Sequence, residues 1–282
     1  MQLANEHPDY RRKYEQLVAS DQRNGFFEQT WVQDILHSNW RYLLNEHNEP
    51  VLRIPYTNKF GFTAYLQPLL LRSLPLLSGS SIADLSYLKS KLFLHLNLST
   101  SLDAPPYMQI GQYQLLSWKE GIAQIRAGYA ENVKRSLKKG KELSFNSICY
   151  SDFQAFFIAQ KGEKLGNLNA AVWARLAALF SGAQEKEQAF CAGVWSGDEL
   201  LAVGLFFRFK QQLYFMKGTL NERGKQKAAL VYLIDAVLEK YADSCQALDF
   251  VGSNQESIAA FYRKFGAKDN YYQVLKGRWP FV

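Results

Sequence analysis

A run of positive charges offers the most concentrated chemistry in the sequence: Lys134, Arg135, Lys138, Lys139 and Lys141. In a helix, Arg135, Lys138 and Lys139 share one side, because they are spaced i, i+3 and i+4. Cations arranged in this way could hold a phosphate group or a nucleotide. The alternative is a solvated helix face, which is the usual role of a charge run.

A second group of polar residues follows a short apolar run near the C-terminus. Residues 248–251 read as a buried strand, and residues 252–254 read as a turn before a helix. Because open α/β sheets bind ligands at the carboxyl ends of strands, Asp249, Ser253 and Asn254 are candidate substrate contacts. The structural alternative is that a neighbour satisfies the buried charge of Asp249 and that Ser253 and Asn254 cap the helix.

The composition is that of a folded protein with a basic surface. The chain has 282 residues, of which 48% are hydrophobic, and a formal net charge of +7. This length favours about two domains of ~150 residues. The positive balance favours an anionic partner, which could be a small or nucleotide-linked substrate, tRNA or another nucleic acid, or a membrane surface contacted peripherally. It does not choose among them, and the oligomeric state stays open.

The remaining reactive side chains are scattered. Cys149, Cys191 and Cys245 lie far apart, read as reduced core thiols and suit a reducing compartment. No cysteine or histidine spacing is that of zinc ligands. The N-terminus lacks a charged and then apolar signal region. The most hydrophobic segment, 62–77, is interrupted by proline, glutamine and arginine and cannot cheaply span a bilayer. These features predict a soluble, cytoplasmic protein without a metal site.

The elements that must position these residues follow from periodicity. The second half reads as two helices, a three-stranded meander, a helix, a strand, a helix and a strand. Its main elements are predicted at 122–141 (a long basic helix), 190–208 (a hairpin), 212–219 (a strand) and 228–242 (a helix). The first half reads as a shorter version with a hairpin at 40–56. The boundary falls in the connection at 99–111, which gives domains 1–112 and 113–282.

This order of elements resembles the GNAT acyltransferase fold, and in particular the FemABX type, in which two GNAT-like halves are joined. Four stretches carry the resemblance: Tyr129–Gly140 with its Asn132-x-x-Arg135 pattern, Gly193–Gly204, Tyr214–Thr219 with the following helix, and Asp249–Ser253 with Phe261–Ala267. The resemblance implies a mixed α/β (α+β) fold of two packed GNAT-like mixed-sheet halves, the second complete and the first shortened.

The resemblance also implies an activity, the transfer of an acyl or aminoacyl group to an amine. The donor would be acyl-CoA or aminoacyl-tRNA, and the acceptor an amine on a cell-envelope precursor, a sugar or a peptide. No metal or permanently bound cofactor is implied. The absence of an inserted coiled-coil arm weakens aminoacyl-tRNA as the donor. A non-catalytic module that binds RNA or another polyanion through the basic helix is the alternative.

Matching positions supply candidate residues for this chemistry. Lys276 matches a lysine that FemABX enzymes place beside the acceptor, and the alternative is a surface lysine. Lys217 lies on a strand whose backbone amides could hold an oxyanion, and the alternative is a solvated edge lysine. Tyr262 matches a tyrosine that protonates the leaving group in some GNAT enzymes, and the alternative is core packing. Arg135 matches a phosphate-facing arginine.

The loop before the helix at 228–242 departs from the family pattern. GNAT enzymes that bind acyl-CoA usually carry a glycine-rich loop there, whereas residues 221–228 contain only Gly224. A helix N-terminus can still bind a pyrophosphate through its backbone N–H groups. Arg223, Lys225 and Lys227 are therefore the candidate cofactor contacts.

Overall fold

The structure, a computed structural model, describes residues 2–21, 24–77, 82–91, 93–99, 108–140, 142–162, 168–252 and 254–277. It divides into two compact units, Met1–Gln112 with Tyr271–Val282 and Tyr113–Asn270. The predicted second domain, 113–282, instead included residues 271–277. These residues group with the first unit because Gln273–Lys276 pair antiparallel with residues 95–98.

The first unit combines two sheets with short helices. Its elements are α1 (Pro8–Ser20), α2 (Thr30–Leu36), α3 (Ile82–Lys89), β1 (Gln2–Asn5), β2 (Trp40–Leu44), β3 (Pro50–Pro55), β4 (Thr57–Lys59), β5 (Phe62–Leu66), β6 (Leu74–Pro75) and β7 (Leu94–Ser99). Strands β1, β2 and β3 form an antiparallel sheet. Strand β4 forms a hairpin with β5, which pairs parallel to β7. The predicted hairpin at 40–56 is confirmed as β2–β3.

A buried arginine ties the N-terminal part of the first unit together. Arg53 on β3 is completely buried, and its Nη2 donates to Glu6 and to Asp34 at 2.6 Å each. The guanidinium also lies over the ring of Trp40, 4.5 Å from the centroid. Glu6 directly follows β1, Asp34 lies on α2 and Trp40 lies on β2. The arginine therefore links elements that are distant in sequence.

The second unit is a mixed sheet with helices on it. Strands β8 (Gln109–Ser117) and β14 (Lys268–Lys276) contribute residues to both units. The other elements are α4 (Gly121–Ala127), α5 (Glu131–Lys139), β9 (Ser144–Ile148), α6 (Tyr150–Lys161), α7 (Ala170–Gln184), β10 (Ala189–Ser196), β11 (Glu199–Phe209), β12 (Gln212–Leu220), α8 (Glu222–Gln226), α9 (Ala229–Tyr241), β13 (Ala247–Asp249) and α10 (Glu256–Arg263). The strand order is β8-β13-β12-β11-β10-β9, and only β12 and β13 pair in parallel. The predicted mixed α/β class is confirmed.

The prediction of one long basic helix at 122–141 is wrong, because the chain forms two helices with a break at 128–130. Tyr129 in the break is buried, and its ring packs edge-on against Phe265, with centroids 5.4 Å apart. The N–H of Ala130 leaves the helical pattern and donates to the carbonyl of Lys264 at 2.8 Å. Contacts with the segment after α10 therefore end α4 and start α5.

The cysteines differ in their surroundings. Cys191 and Cys245 are buried free thiols, as predicted, whereas Cys149 is exposed. The prediction was wrong for Cys149 because this residue caps the surface start of α6. Among the described residues, no cluster of three potential metal ligands occurs. Within the same ranges, no helix has both the length and the apolar character needed to cross a bilayer.

Candidate functional site

The sheet of the second unit opens between its two parallel strands. Strand β13 pairs with β12 only where residues 247–249 face residues 212–214. Strand β12 continues to Leu220, so its later half has no strand partner on that side within the described part of the chain. Alternate backbone N–H groups of residues 217–220 face this gap, because strand N–H groups alternate in direction.

A β-bulge in β12 redirects the side chains beside the gap. Lys217 pairs with Leu205, whereas Phe215 pairs with Phe206, so Met216 is the extra residue. Leu205 and Phe206 are consecutive and point to opposite faces of the sheet. Lys217 therefore lies on the face opposite to Phe215, although the two are separated by a single residue. Bulges often serve this purpose beside active sites.

Lys217 is half-buried and has no hydrogen bond or ion pair with any described residue. Burial lowers the pKa of its ammonium group, because the charged form loses hydration without gaining a counter-ion. This partial burial favours the functional interpretation of Lys217 over the alternative of a solvated edge lysine. An amine in this state is suited to accepting a proton from a reacting group.

Thr219 brings a second polar group to the same face. It pairs with Val203, two residues from the partner of Lys217, and its side chain is 1% exposed. Its Oγ1 has no hydrogen-bond partner among the described residues. Sequence reasoning used only the backbone amides of this strand and missed the hydroxyl. The signal available in the sequence was the alternation of Lys217 and Thr219 at the end of an apolar strand.

Tyr262 on α10 borders the gap from the other face. Its ring stacks on Phe250, with centroids 4.1 Å apart, and meets Phe215 edge-on at 6.3 Å. Burial raises the pKa of the hydroxyl to about 12. No described residue forms a hydrogen bond with it. Tyr262 therefore keeps its proton at neutral pH and can donate it. The stacking on Phe250 fixes the orientation of the ring. The sequence did not reveal this contact.

An ion-pair network holds α10 in place. Arg263 at its end binds Glu256 at 2.6 Å and Asp269 at 2.8 Å. Gln114 on β8 also donates to Asp269, at 3.1 Å. The Arg263 guanidinium, and after it the Gln114 amide, hold the pKa of the Asp269 carboxyl below its usual range. The network links α10 to two strands of its unit and so positions the helix that carries Tyr262.

Asp249 has a structural role in the turn after β13. The carboxylate is fully buried and accepts a 2.7 Å hydrogen bond from the N–H of Val251. Val251 has a positive φ of 57°, which is rare for a β-branched residue. Asn254 is exposed and precedes Gln255, which occupies the N-cap position and makes no side-chain capping hydrogen bond within the described residues. The predicted cap at Asn254 is therefore wrong, and Ser253 lies outside the described residues.

The basic helix α5 presents its cations to solvent. Arg135, Lys138 and Lys139 are exposed and form no ion pair with the described residues. Lys134, in contrast, binds Glu131 at 3.1 Å. These three cations are available to bind an anion. A helix face that is simply solvated would expose its cations in the same way, so both interpretations stay open.

The predicted cofactor cations already have carboxylate partners. Arg223 pairs with Glu199, Lys225 with Glu222 at 3.9 Å, and Lys227 with Glu142. Gly224 is required for packing, because a Cβ there would lie 2.4 Å from the carbonyl oxygen of Leu201. Helix α9 begins after Ala228, which is in the left-handed conformation. An anion at the start of α9 stays a prediction, whereas the three side chains already have carboxylate partners.

Lys276 is placed in the first unit, at the end of β14. It is exposed and pairs across the strands with His95 on β7. Burial, and after it the charge of Lys276, lowers the pKa of His95. The structure therefore brings Lys217 and Tyr262 to the gap in one unit and places Lys276 in the other.

The family comparison concerns the second unit, which contains the gap between β12 and β13. Residues 129–263 match the model of the acetyltransferase (GNAT) domain. The fold of these residues is that of a GNAT domain. The domain contains the bulged strand β12, the gap beside it and Tyr262. No curated protein sequence matches the chain significantly.

Solved structures extend the likeness to the whole chain. FemX is 10% identical, with 97% of each chain covered and a TM-score of 0.64. A conserved protein of unknown function from Bacteroides thetaiotaomicron is 9% identical, with 98% of this chain and all of that chain covered and a TM-score of 0.55. At these identities the likeness concerns the fold. The FemABX-type GNAT fold predicted from the sequence is confirmed.

Proposed function

We propose that this protein is an N-acyltransferase that moves an acyl group from a carrier to an amine. The observation that carries the proposal is the gap between β12 and β13, with Lys217 and Thr219 on one face and Tyr262 on the other. The GNAT domain favours acyl-CoA as the donor. Aminoacyl-tRNA is the second donor to test, because the fold is that of FemX.

Lys217 would act as the general base. Amines are protonated at neutral pH and attack a carbonyl only after losing a proton. The lowered pKa of Lys217 increases its neutral fraction. The hydroxyl of Thr219 would accept a hydrogen bond from the same amine and orient it. The acceptor would therefore approach from the face of the sheet that carries Lys217.

The opposite face would handle the leaving group. Tyr262 stays protonated, so its hydroxyl can protonate a departing thiolate or alkoxide. Between the two faces, backbone N–H groups of the bulged strand would stabilise the tetrahedral oxyanion. In this arrangement the acceptor amine attacks from the face that carries Lys217, and the leaving group departs on the face that carries Tyr262.

The acceptor proposed is an amine on an anionic molecule, such as a phosphate-bearing cell-envelope precursor. The side chains of Arg135, Lys138 and Lys139, which form no ion pair with the described residues, support an anionic acceptor. We also propose a cytoplasmic location, which the free thiols support.

The test is acyl transfer from acetyl-CoA and from aminoacyl-tRNA to a panel of amines. We expect Lys217→Met and Lys217→Arg to lower kcat by about 10²–10⁴-fold, the usual contribution of a general base. Lys217→Arg keeps the charge but cannot accept a proton, so it separates base catalysis from electrostatic attraction. Lys161→Met, which removes an exposed lysine on α6, is the control. Full activity in Lys217→Arg would refute the assignment.

Lys276 stays a separate prediction. Lys276→Ala should abolish turnover without changing the melting temperature if this lysine serves the acceptor. Turnover at the wild-type rate would remove it from the site. Because Lys276 is exposed, its substitution leaves core packing intact.

A second candidate function is binding of RNA or another polyanion without catalysis, which the exposed cations of α5 favour. Titration with tRNA at two salt concentrations tests it, since phosphate contacts weaken steeply with salt. Charge reversal at Arg135 should then reduce both the affinity and its salt dependence. Salt-sensitive tRNA binding without acyl transfer from either donor would favour this function over the first.

A further inference from the structure

Two paired glycines in the sheet of the second unit make room for aromatic rings beside the gap. Gly204 on β11 lies opposite Gly218 on β12. A Cβ on Gly204 would lie 2.6 Å from Cε2 of Phe206, and a Cβ on Gly218 would lie 2.8 Å from Cε2 of Phe215. The two rings therefore occupy the space that side chains on the glycines would fill. They stack on each other with centroids 5.0 Å apart.

The ring of Phe215 lies on the face of the sheet that Tyr262 borders. Its centroid is 6.2 Å from that of Phe250 and 6.3 Å from that of Tyr262, and both contacts are edge-on. Phe215 is 3% exposed and Phe250 is 2% exposed. These aromatic side chains therefore cover one another and close this side of the gap to solvent.

Phe215 also stands at the closed end of the gap. Tyr214 and Asp249 are the last residues that pair between β12 and β13, and Phe215 and Phe250 directly follow them. The open end lies toward Leu220, where β12 ends. A carrier as large as CoA or tRNA would enter at the open end, because the paired strands block the other. The acyl group that it carries would then point to the closed end.

The geometry of the proposed reaction leaves the same direction for the acyl chain. Four groups surround the carbonyl carbon in a tetrahedral intermediate: the attacking amine, the leaving group, the oxyanion and the acyl chain. The proposed function assigns the amine to the face of Lys217, the leaving group to the face of Tyr262 and the oxyanion to backbone N–H groups of β12. The acyl chain would extend toward the closed end, where the ring of Phe215 lies.

We propose that Phe215 sets the size limit for the transferred group, so that the protein accepts short acyl groups and excludes long ones. The inference rests on the proposed function and adds the class of donor to it. A longer chain would have to displace an aromatic ring from a closely packed core, which is costly. The chemistry that fits is a small acyl group, which acetyl-CoA and glycyl- or alanyl-tRNA each carry.

The test compares donors of increasing acyl size in the transfer assay, with the same panel of amines. One series is acetyl-, butyryl- and hexanoyl-CoA, and the other is glycine, alanine and phenylalanine charged on one tRNA. We expect wild-type kcat/KM to fall about tenfold or more from the smallest to the largest donor, because a hydrophobic pocket discriminates about 10–200-fold for a single methylene. Phe215→Ala should raise the ratio of largest to smallest donor about tenfold or more.

Two further variants separate acyl size from stability. Phe215→Leu also shortens the side chain but leaves a smaller cavity, so it tests the limit if Phe215→Ala does not fold. Phe153→Leu is the matched control. Phe153 on α6 is 0% exposed and packs against Phe157, with ring centroids 5.7 Å apart. Its replacement should lower the melting temperature and leave the ratio of donors at the wild-type value.

Each outcome decides the proposal. A wild-type preference for small donors that the Phe215 variants relax and Phe153→Leu keeps would establish the size limit. Transfer at equal rates from small and large donors would overturn it and leave the proposed function in place, as would Phe215 variants with the wild-type ratio. If the wild type transfers no acyl group from either series, the proposed function fails and this inference fails with it.

Discussion

The substitution Thr219→Val tests whether β12 carries polarity that the fold does not use. Thr219 is 1% exposed, and its hydroxyl has no hydrogen-bond partner among the described residues. A buried hydroxyl without a partner costs about 1–3 kcal/mol, and valine has nearly the same shape and an equal preference for strands. We expect Thr219→Val to raise the free energy of unfolding by about 1 kcal/mol, and the melting temperature by about 2–4 °C. Acyl transfer should fall in the same variant.

Urea unfolding and thermal melting measure the change, with Thr30→Val as the matched control. Thr30 is 8% exposed, but its Oγ1 donates to Glu15 at 2.5 Å. Because Thr30 has a charged partner, its replacement should lower the free energy of unfolding by about 1.5–3 kcal/mol. If Thr219→Val is destabilised as much as Thr30→Val, the hydroxyl of Thr219 has a partner in the fold and is not reserved for a ligand.

Two further predictions concern stability, and a third concerns pH. Arg53→Met should lower the free energy of unfolding by about 3 kcal/mol, since it leaves Glu6 and Asp34 without their buried partner; an unchanged urea midpoint would contradict this. Gly224→Ala should lower the melting temperature by forcing a Cβ to within 2.4 Å of Leu201, at a cost of about 1–3 kcal/mol. For Lys217 the folded pKa is lowered, so between that pKa and about 10.4 the unfolded chain binds more protons. The wild type should therefore gain stability relative to Lys217→Met as pH rises through this window, and a constant difference in urea titrations would refute the shift.

Hydrophobic periodicity predicts the strands and helices that bury one regular apolar face. The meander of β10, β11 and β12 and the helix α9 follow from alternation and helical spacing, and the structure has them close to their predicted bounds. Features that depend on distant residues are not visible in this way. The break between α4 and α5 requires Phe265, and the pairing of Lys227 with Glu142 spans 85 residues.

The orientation of the candidate base was equally hidden from the sequence. Simple alternation places Phe215 and Lys217 on one face of β12, and the extra residue Met216 separates them. Burial of Lys217 without a counter-ion depends on this bulge and on the helices that cover the face. Sequence patterns could therefore name Lys217 and Tyr262 but not their opposite placement.

Three residues with locally unfavourable burial or backbone conformation lie near the point where strands β12 and β13 separate. Within the described residues, Lys217 lies half-buried without a counter-ion and the hydroxyl of Thr219 has no partner, and Val251 has a positive φ. Methionine, valine and glycine at these positions would relieve each departure, so the fold alone gives no reason to retain them. A protein that only held a polyanion on the exposed face of α5 would also gain nothing from them. Retained strain and unused polarity beside a gap in the sheet are what a catalytic site requires, which favours acyl transfer over simple binding.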